Sequence, residues 1–305
     1  MKNIYIVIVT YNGMAWLKQC LDSCKEYRVI VVDNNSSDES VSFIKVNYPD
    51  ITLLEQDINL GFGQANNLGI LYALEKDAEH VFLLNQDAYL VGNVLEKMVS
   101  IQQKQPVFGV LSPIHITADK KRLDKNFSSF MLKEQTGQFY SDFVLGNTLK
   151  NVYHVPFVNA AGWLISKSCL DTVGGFDPLF FHYGEDDNYC QRVLYHGFHI
   201  GVVPNIFIIH DRTERVHKKL IIYTDAYYKK LELSYKVHYG NILSNNHIEK
   251  KIHKLERLIV KAILQFKLNR ISHYKKELRI LKSLRPLIEK SREKNVTKGR
   301  HYLQN

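Results

Sequence analysis

Cysteine is scarce in this chain, with four in 305 residues: Cys20, Cys24, Cys169 and Cys190. So few thiols cannot staple a chain of this length, which excludes a disulfide framework. Only Cys20 and Cys24 lie close together, and no second close pair completes a zinc site. Long apolar runs are also lacking. No stretch approaches the roughly 20 residues of a membrane span. Ile4 to Val9 is apolar but too short for a signal-peptide core, and it runs straight into Thr10-Tyr11-Asn12-Gly13. These absences predict a reduced, cytoplasmic protein that does not cross a membrane. With 45% hydrophobic and 23% charged residues the composition is that of an ordinary globular protein, so a sizeable core can form.

A net positive balance is missing from most of the chain despite a net charge of +9. Residues 246–305 hold 17 Lys and Arg against 5 Glu, so they carry +12 and the rest about −3. The basic character belongs to the tail. No nucleic-acid motif accompanies it, and no nucleic-acid partner is expected.

Hydrophobic patterning organises the rest. Ile4 to Val9 is a β-branched and aromatic run that reads as a strand buried on both faces. Met14 to Cys24 has helical spacing. Val29 to Val32, Ile51 to Glu55 and Val81 to Leu84 read as further strands, and Ala65 to Leu74 as a helix. Strands alternating with helices predict βαβ units in a Rossmann-like sheet flanked by helices, an α/β fold. Val107 to Ile116 is another expected strand. Residues 117–150 are polar with scattered aromatics and read as a hairpin or a loop. Short strands are expected at 152–158, 162–166, 200–203 and 206–209, and helices from Cys169 to Gly174 and from Asp186 to His196. From about Ile222, apolar residues recur every three or four positions with basic residues between them, as in amphipathic helices. The expected division is a catalytic domain over 1–221, with halves of about 1–110 and 111–221, and a basic helical extension over 222–305.

Ligands of open parallel sheets sit beyond the C-terminal strand ends. Three polar clusters fall there: Thr10-Tyr11-Asn12, Asp33-Asn34, and Asn85-Gln86-Asp87. Asp33 can accept a hydrogen bond from a pyrimidine N–H or a ribose hydroxyl. Asp87 is a hard oxygen ligand suited to Mg²⁺ or Mn²⁺. Each Asp alone would read as a turn former or helix cap. The glycines of Gly61-Phe62-Gly63 let backbone approach a nucleotide or simply close a tight loop; Asn66 stands where the dinucleotide fingerprint needs its third glycine. Glu185-Asp186-Asp187 opens a helix after an aromatic run. The helix dipole favours negative charge there, and crowding raises the pKa of a carboxylate toward that of a useful general base. An acidic first turn without function is the competing reading. His210 ends an apolar strand, where an imidazole can ligate Mn²⁺ or simply pack.

Taken together these segments resemble the inverting family 2 glycosyltransferases, which have the nucleotide-sugar-binding GT-A fold. Val9-Thr10-Tyr11-Asn12 is similar to their opening strand, and Asp33 to Asp38 to their nucleoside-binding turn. Asn59 to Asn67 and Leu84-Asn85-Gln86-Asp87 resemble the loop and metal motif of the bacterial rhamnosyltransferase-like branch, with Asn85 in place of the first Asp. Gly174 to Asp177, Phe181, Glu185-Asp186, Cys190 and Arg192 resemble the acceptor-side segment. The resemblance implies transfer of a sugar from a UDP- or dTDP-sugar to a hydroxyl of a saccharide or lipid-linked saccharide, in bacterial surface polysaccharide or lipopolysaccharide biosynthesis. It implies donor contacts at Thr10, Tyr11, Asn12, Asp33, Asn66, Asn85 and Gln86. It places a divalent metal, Mn²⁺ or Mg²⁺, at Asp87 and His210. Asp186 becomes the catalytic base, with Asp187 its rival, and Gly162, Trp163, Asp177, Glu185 and Asp187 line the acceptor side. A sugar nucleotidylyltransferase and a catalytically silent nucleotide-sugar-binding protein are the alternatives. Residues 246–305 are expected to meet an anionic membrane surface at the inner face of the cell membrane, or to pack on the catalytic domain or a second copy as a homodimer.

Overall fold

The computed structural model describes residues 3–131, 136–212 and 220–304. In chain order the elements are β1 (Ile4–Thr10), α1 (Met14–Asp22), β2 (Arg28–Asp33), α2 (Ser40–Asn47), β3 (Thr52–Glu55), α3 (Gly61–Glu75), β4 (His80–Asn85) and β5 (Ala88–Leu90). They continue as α4 (Val94–Lys104), β6 (Phe108–Ile116), α5 (Lys125–Met131), α6 (Gly137–Leu145), β7 (Tyr153–Val155), β8 (Gly162–Ser166), α7 (Lys167–Val173), α8 (Glu185–Tyr195) and β9 (His199–His210). Three helices follow: α9 (Asp225–Gly240), α10 (Ile248–Leu264) and α11 (Leu268–Asn295).

The chain forms two compact units, Met1–Arg215 with Lys298–Asn305, and Val216–Thr297. In the first, a single sheet runs β3-β2-β1-β4-β8-β6-β9-β5, with β7 added against β9. The first four of these strands are parallel, as βαβ alternation requires. Beyond β4 the sheet is mixed, because β8 runs antiparallel to both β4 and β6. Along β1 the alternation of a strand sends Tyr5 and Val7 into one core and Ile4, Ile6 and Ile8 into the other. Helices cover both faces, which is why the run is apolar throughout.

Several expected elements differ. The two late strands are one strand, β9, whose pairing with β6 shifts register at Pro113/Ile114. Asn205 takes the left-handed conformation there (φ 62°), so the Pro204-Asn205 interruption is a bulge rather than a turn. The 117–150 segment contains α5 and α6, and its scattered aromatics, Phe127, Phe139 and Tyr153 nearby, enter the core. The last eight residues, read with the extension, belong to the first unit. Gly299 N donates to Thr172 O (2.9 Å), Gly175 N donates to His301 O (2.8 Å), and Leu303 is buried in the core.

The second unit is an α-helical bundle in which α11 packs against both α9 and α10. Its interior holds Tyr228, Tyr235, Ile252, Leu255, Leu281 and Leu284. Glu277 is buried among them. It accepts the Tyr235 hydroxyl and pairs with Lys251 (2.8 Å) and His273 (3.4 Å), so its charge is compensated. Among the described residues no helix is long and apolar enough to cross a membrane.

Candidate active site

Register brings the strand-end clusters together. Thr10 lies opposite Asp33, and Val9 opposite Asn85, so β1, β2 and β4 end along one edge. At that edge Asp33 is buried. Its Oδ2 accepts Ser36 N (3.0 Å), while Oδ1 has no hydrogen-bond partner among the described residues. An unpartnered buried carboxylate oxygen is costly, and a ligand N–H or O–H would relieve it. Asn85 Oδ1 is likewise buried and unpartnered.

The neighbouring residues work as braces. Gln86 Oε1 accepts both the Thr10 hydroxyl (2.8 Å) and Tyr11 N (2.9 Å), and its amide donates to Tyr11 O (3.3 Å). Asn12, left-handed at φ 49°, accepts Ser37 N (2.8 Å) and Asp38 N (3.3 Å) through Oδ1, tying the two loops. Tyr11 remains exposed. Gln86 is therefore turned to the loop rather than outward. Asn66 also departs from its expected donor role: it is buried and donates to Phe62 O (2.9 Å) one turn back in α3. Its neighbour Asn67, which the sequence reading passed over, holds Phe176 from both sides. Asn67 Nδ2 donates to Phe176 O (2.8 Å), and Phe176 N donates to Asn67 Oδ1 (2.7 Å).

The Gly61 and Gly63 ambiguity resolves toward packing. Gly61 is at φ 78°, and a Cβ there would collide with the Phe181 carbonyl. At Gly63 a Cβ would stand 2.9 Å from Phe176 Cβ. Both glycines bring α3 against the 176–185 segment.

Asp87 and His210 meet because β5 and β9 pair antiparallel, with Ala88 opposite His210 and Asp211 N donating to Asp87 O (2.8 Å). Both side chains are buried, with His210 Nε2 3.4 Å from Asp87 Oδ1. Arg212 Nε donates to the same Nε2 (3.1 Å). Asp124, missing from the sequence reading, lies with its Oδ2 3.9 Å from His210 Nδ1 and 3.6 Å from Arg212 Nε. Its Oδ1 caps α5 by accepting Asn126 N (3.1 Å) and Phe127 N (2.9 Å). Neighbouring ligands of an octahedral cation, each about 2.1 Å from it, stand about 3 Å apart. The Asp87–His210 spacing is close to that, and a cation bound there would take over the Nε2 lone pair that accepts Arg212 Nε. No cluster of three His, Cys, Asp or Glu able to hold a metal occurs among the described residues.

On the opposite side, α8 opens with Glu185, Asp186 and Asp187. Burial, with help from Asp186 and then Asp187, pushes the Glu185 carboxyl up to about 8. Asp186 is raised to about 7, again by burial first and Asp187 second, against the pull of backbone N–H groups. Those include Asp187 N (2.9 Å) and Ala160 N. The next residue, Ala161, accepts Asn85 N through its carbonyl (3.1 Å). The Ala160-Ala161 step thus links the Asn85–Asp87 turn to the Asp186 carboxylate.

Three expected acceptor residues are packed into the protein. Trp163 is fully buried and stacks on Phe176 (6.2 Å, 16°), since β8 alternates and Gly162 takes the other face, against Phe82 and Ile208. Asp177 is buried, accepts Leu179 N (2.9 Å) and is hydrogen-bonded to Tyr302. Beneath it the buried Arg192 donates to Gly175 O (2.7 Å) and Val173 O and lies over the Tyr302 ring (5.3 Å). Asp177 and the returning C-terminus hold the segment that leads to Glu185.

The profile of "Glycosyl transferase family 2" matches residues 5–173, more than half of the chain. The chain belongs to glycosyltransferase family 2. Several bacterial rhamnosyltransferases are among the relatives it resembles. The dTDP-rhamnosyl transferase RfbF of Shigella flexneri is 28% identical over 225 residues, which cover 68% of this chain and 69% of that one. Among solved structures, S. aureus TarS 1-349 in complex with UDP-GlcNAc superposes with a TM-score of 0.54 at 16% identity, over 96% of this chain and 88% of that one. GalNAc-T7 with UDP, GalNAc and Mn²⁺ gives 0.54 at 17% identity, over 69% and 44%. At such identities the likeness speaks for the GT-A fold alone. Family 2 membership makes this chain a glycosyltransferase, which displaces the nucleotidylyltransferase and the silent binding protein.

Proposed function

We propose that this glycosyltransferase works with inversion, moving a sugar from a dTDP- or UDP-sugar to an acceptor hydroxyl during synthesis of a bacterial surface polysaccharide or lipopolysaccharide. The dTDP-rhamnosyl relative favours a deoxyhexose donor. The observation that carries the reading is the Ala160-Ala161 step, bonded on one side to Asn85 and on the other to Asp186. It supports a donor diphosphate near Asp87 and an acceptor hydroxyl near Asp186 within one crevice.

Asp33 Oδ1 takes a hydrogen bond from the donor's pyrimidine or ribose, and Asn85 Oδ1 a second from the donor. Asp186, poised at about 7, removes the acceptor proton. The acceptor oxygen then bonds to the anomeric carbon as the bond from that carbon to the diphosphate oxygen breaks. The nucleoside diphosphate leaves with the electron pair, and the anomeric configuration inverts. Asp87 and His210 would hold Mg²⁺ or Mn²⁺, which offsets charge on the departing diphosphate. Glu185, uncharged below about pH 8, adds no further negative charge to that of Asp187 beside Asp186. Proton NMR of the product tests the reading: the new linkage has the opposite anomeric configuration to the donor. A product that keeps the donor's configuration would sink the single-displacement mechanism.

A further inference from the structure

The helical unit carries an exposed apolar surface of its own. Where α10 turns into α11, residues 257–270 (Arg-Leu-Ile-Val-Lys-Ala-Ile-Leu-Gln-Phe-Lys-Leu-Asn-Arg) contain four cations and no carboxylate. Three large apolar side chains at the turn stand in solvent: Leu264 at 75%, Phe266 at 89% and Leu268 at 76% exposure. Val260 and Ile263, half exposed or more, extend the patch along α10. So dense a group on a soluble surface marks an interaction site. Phe266 also sits in the left-handed conformation (φ 53°) that ends a helix, with Lys267 N donating to Ala262 O (2.9 Å). Glycine or asparagine is favoured at such a position. A phenylalanine there accepts backbone strain and leaves its ring uncovered.

The turn carries cations with no carboxylate among them. Elsewhere on these helices several cations have ion-pair partners: Lys251 and Glu277, Lys276 and Asp225, Lys282 and Glu256, Arg285 with Glu249 and Glu289. At the turn Arg257, Lys261, Lys267 and Arg270 are all exposed, and none makes an ion pair among the described residues. An apolar tip ringed by unpaired cations complements the headgroup region of a bilayer carrying anionic lipid. Apolar groups enter the acyl boundary while the cations meet the headgroups. A protein partner of matching shape would also need a ring of carboxylates, which a second copy of this chain would have to supply from its slightly acidic body.

We propose that the α10–α11 turn is a shallow anchor that docks on an anionic lipid surface, with Leu264, Phe266 and Leu268 entering it and Lys261 and Lys267 meeting the headgroups. The anchor does not depend on the transfer chemistry, so it is tested without nucleotide. The full chain is sedimented with vesicles of phosphatidylcholine alone or mixed with phosphatidylglycerol, at low and high salt. Partition of each large apolar side chain is worth roughly tenfold or more, and each headgroup-facing cation about fivefold. The wild type is expected on the mixed vesicles. Leu264→Ser with Phe266→Ser and Leu268→Ser is expected to lose binding at least about tenfold. Lys261→Glu with Lys267→Glu is expected to lose the preference for anionic lipid. All the altered side chains are exposed, and circular dichroism confirms the fold. Equal sedimentation of wild type and the triple serine variant would overturn the anchor. So would a wild type that ignores the mixed vesicles. A third outcome also counts against it: sedimentation velocity giving a dimer that the serine variant dissociates, with vesicle binding unaltered, would make the turn a contact between copies.

Discussion

Replacing Asp187 by asparagine separates the two candidate bases by their effect on pH dependence. Burial is the larger reason that Asp186 is raised to about 7, and the adjacent Asp187 charge is the next. Two carboxylates roughly 6 Å apart repel by about 1.4 to 2.8 kcal/mol at effective dielectric constants of about 40 to 20, equal to about one to two pKa units. Asp187→Asn removes that repulsion and keeps the side-chain shape. A base acts in its deprotonated form, so activity rises as pH climbs through its pKa. The wild-type acid limb of kcat/KM is therefore expected near pH 7, and that of Asp187→Asn about one to two units lower. Near pH 6 the variant then keeps a several-fold larger share of its plateau rate than the wild type keeps of its own. The assay is a series of initial rates between about pH 5 and 9 with saturating metal. An acid limb that stays put would refute the electrostatic account. Loss of activity at every pH would make Asp187 the base.

Three other outcomes follow from the same geometry. Glu185 has a folded-state pKa of about 8 against about 4.3 unfolded, so it binds its proton more tightly in the folded protein. Its contribution to stability is intact below about pH 4 and falls as pH rises toward about 8; Glu185→Gln should stabilise the protein at pH 8.5 by up to a few kcal/mol, read as a higher Tm, and change it little near pH 4. Asn67→Ala breaks both amide bonds to Phe176 and leaves buried backbone groups unpaired, a cost of about 2 to 4 kcal/mol readable as a shift in urea midpoint. For the metal pair, Mn²⁺ with a nucleoside diphosphate should raise the melting temperature of wild type, and Asp87→Asn or His210→Ala should lose most of that rise; an undiminished rise would place the metal elsewhere.

Legibility from sequence varied with how local the cause was. The run Ile4 to Val9 declared a strand buried on both faces by itself, and the polar residues after β1, β2 and β4 declared a crevice because parallel strands end together. Asp33 and Asp87 were singled out by those rules, and Asp186 by the acidic first turn of a helix and the family resemblance. Side chains whose direction depends on distant packing were not. Asn66 and Asn67 are neighbours about 100° apart around α3, and only the position of Phe176 decides which of them reaches across. Trp163 and Gly162 alternate on β8, and the face each takes is set by register with β4. Gln86 reads as a ligand contact until Thr10 and Tyr11 are seen to occupy it. Asp124 became visible only when the turn before α5 came up against His210. The return of Lys298–Asn305 into the first unit carries no local signal, since its bonds are to Thr172, Gly175 and Asp171, more than a hundred residues away.

The most direct measurement of the central claim compares wild type with Asp186→Asn for both turnover and donor binding. Titration calorimetry gives the donor affinity in the presence of Mn²⁺, and a radiolabelled-donor assay gives transfer to acceptor. Loss of a general base lowers turnover by about a hundredfold to ten-thousandfold, while the proposed donor contacts at Asp33, Asn85 and Asp87 are untouched by the substitution. The expected result is nearly unchanged donor affinity with transfer reduced by that factor. Transfer within a few-fold of wild type would contradict the assignment of Asp186 as the group that activates the acceptor.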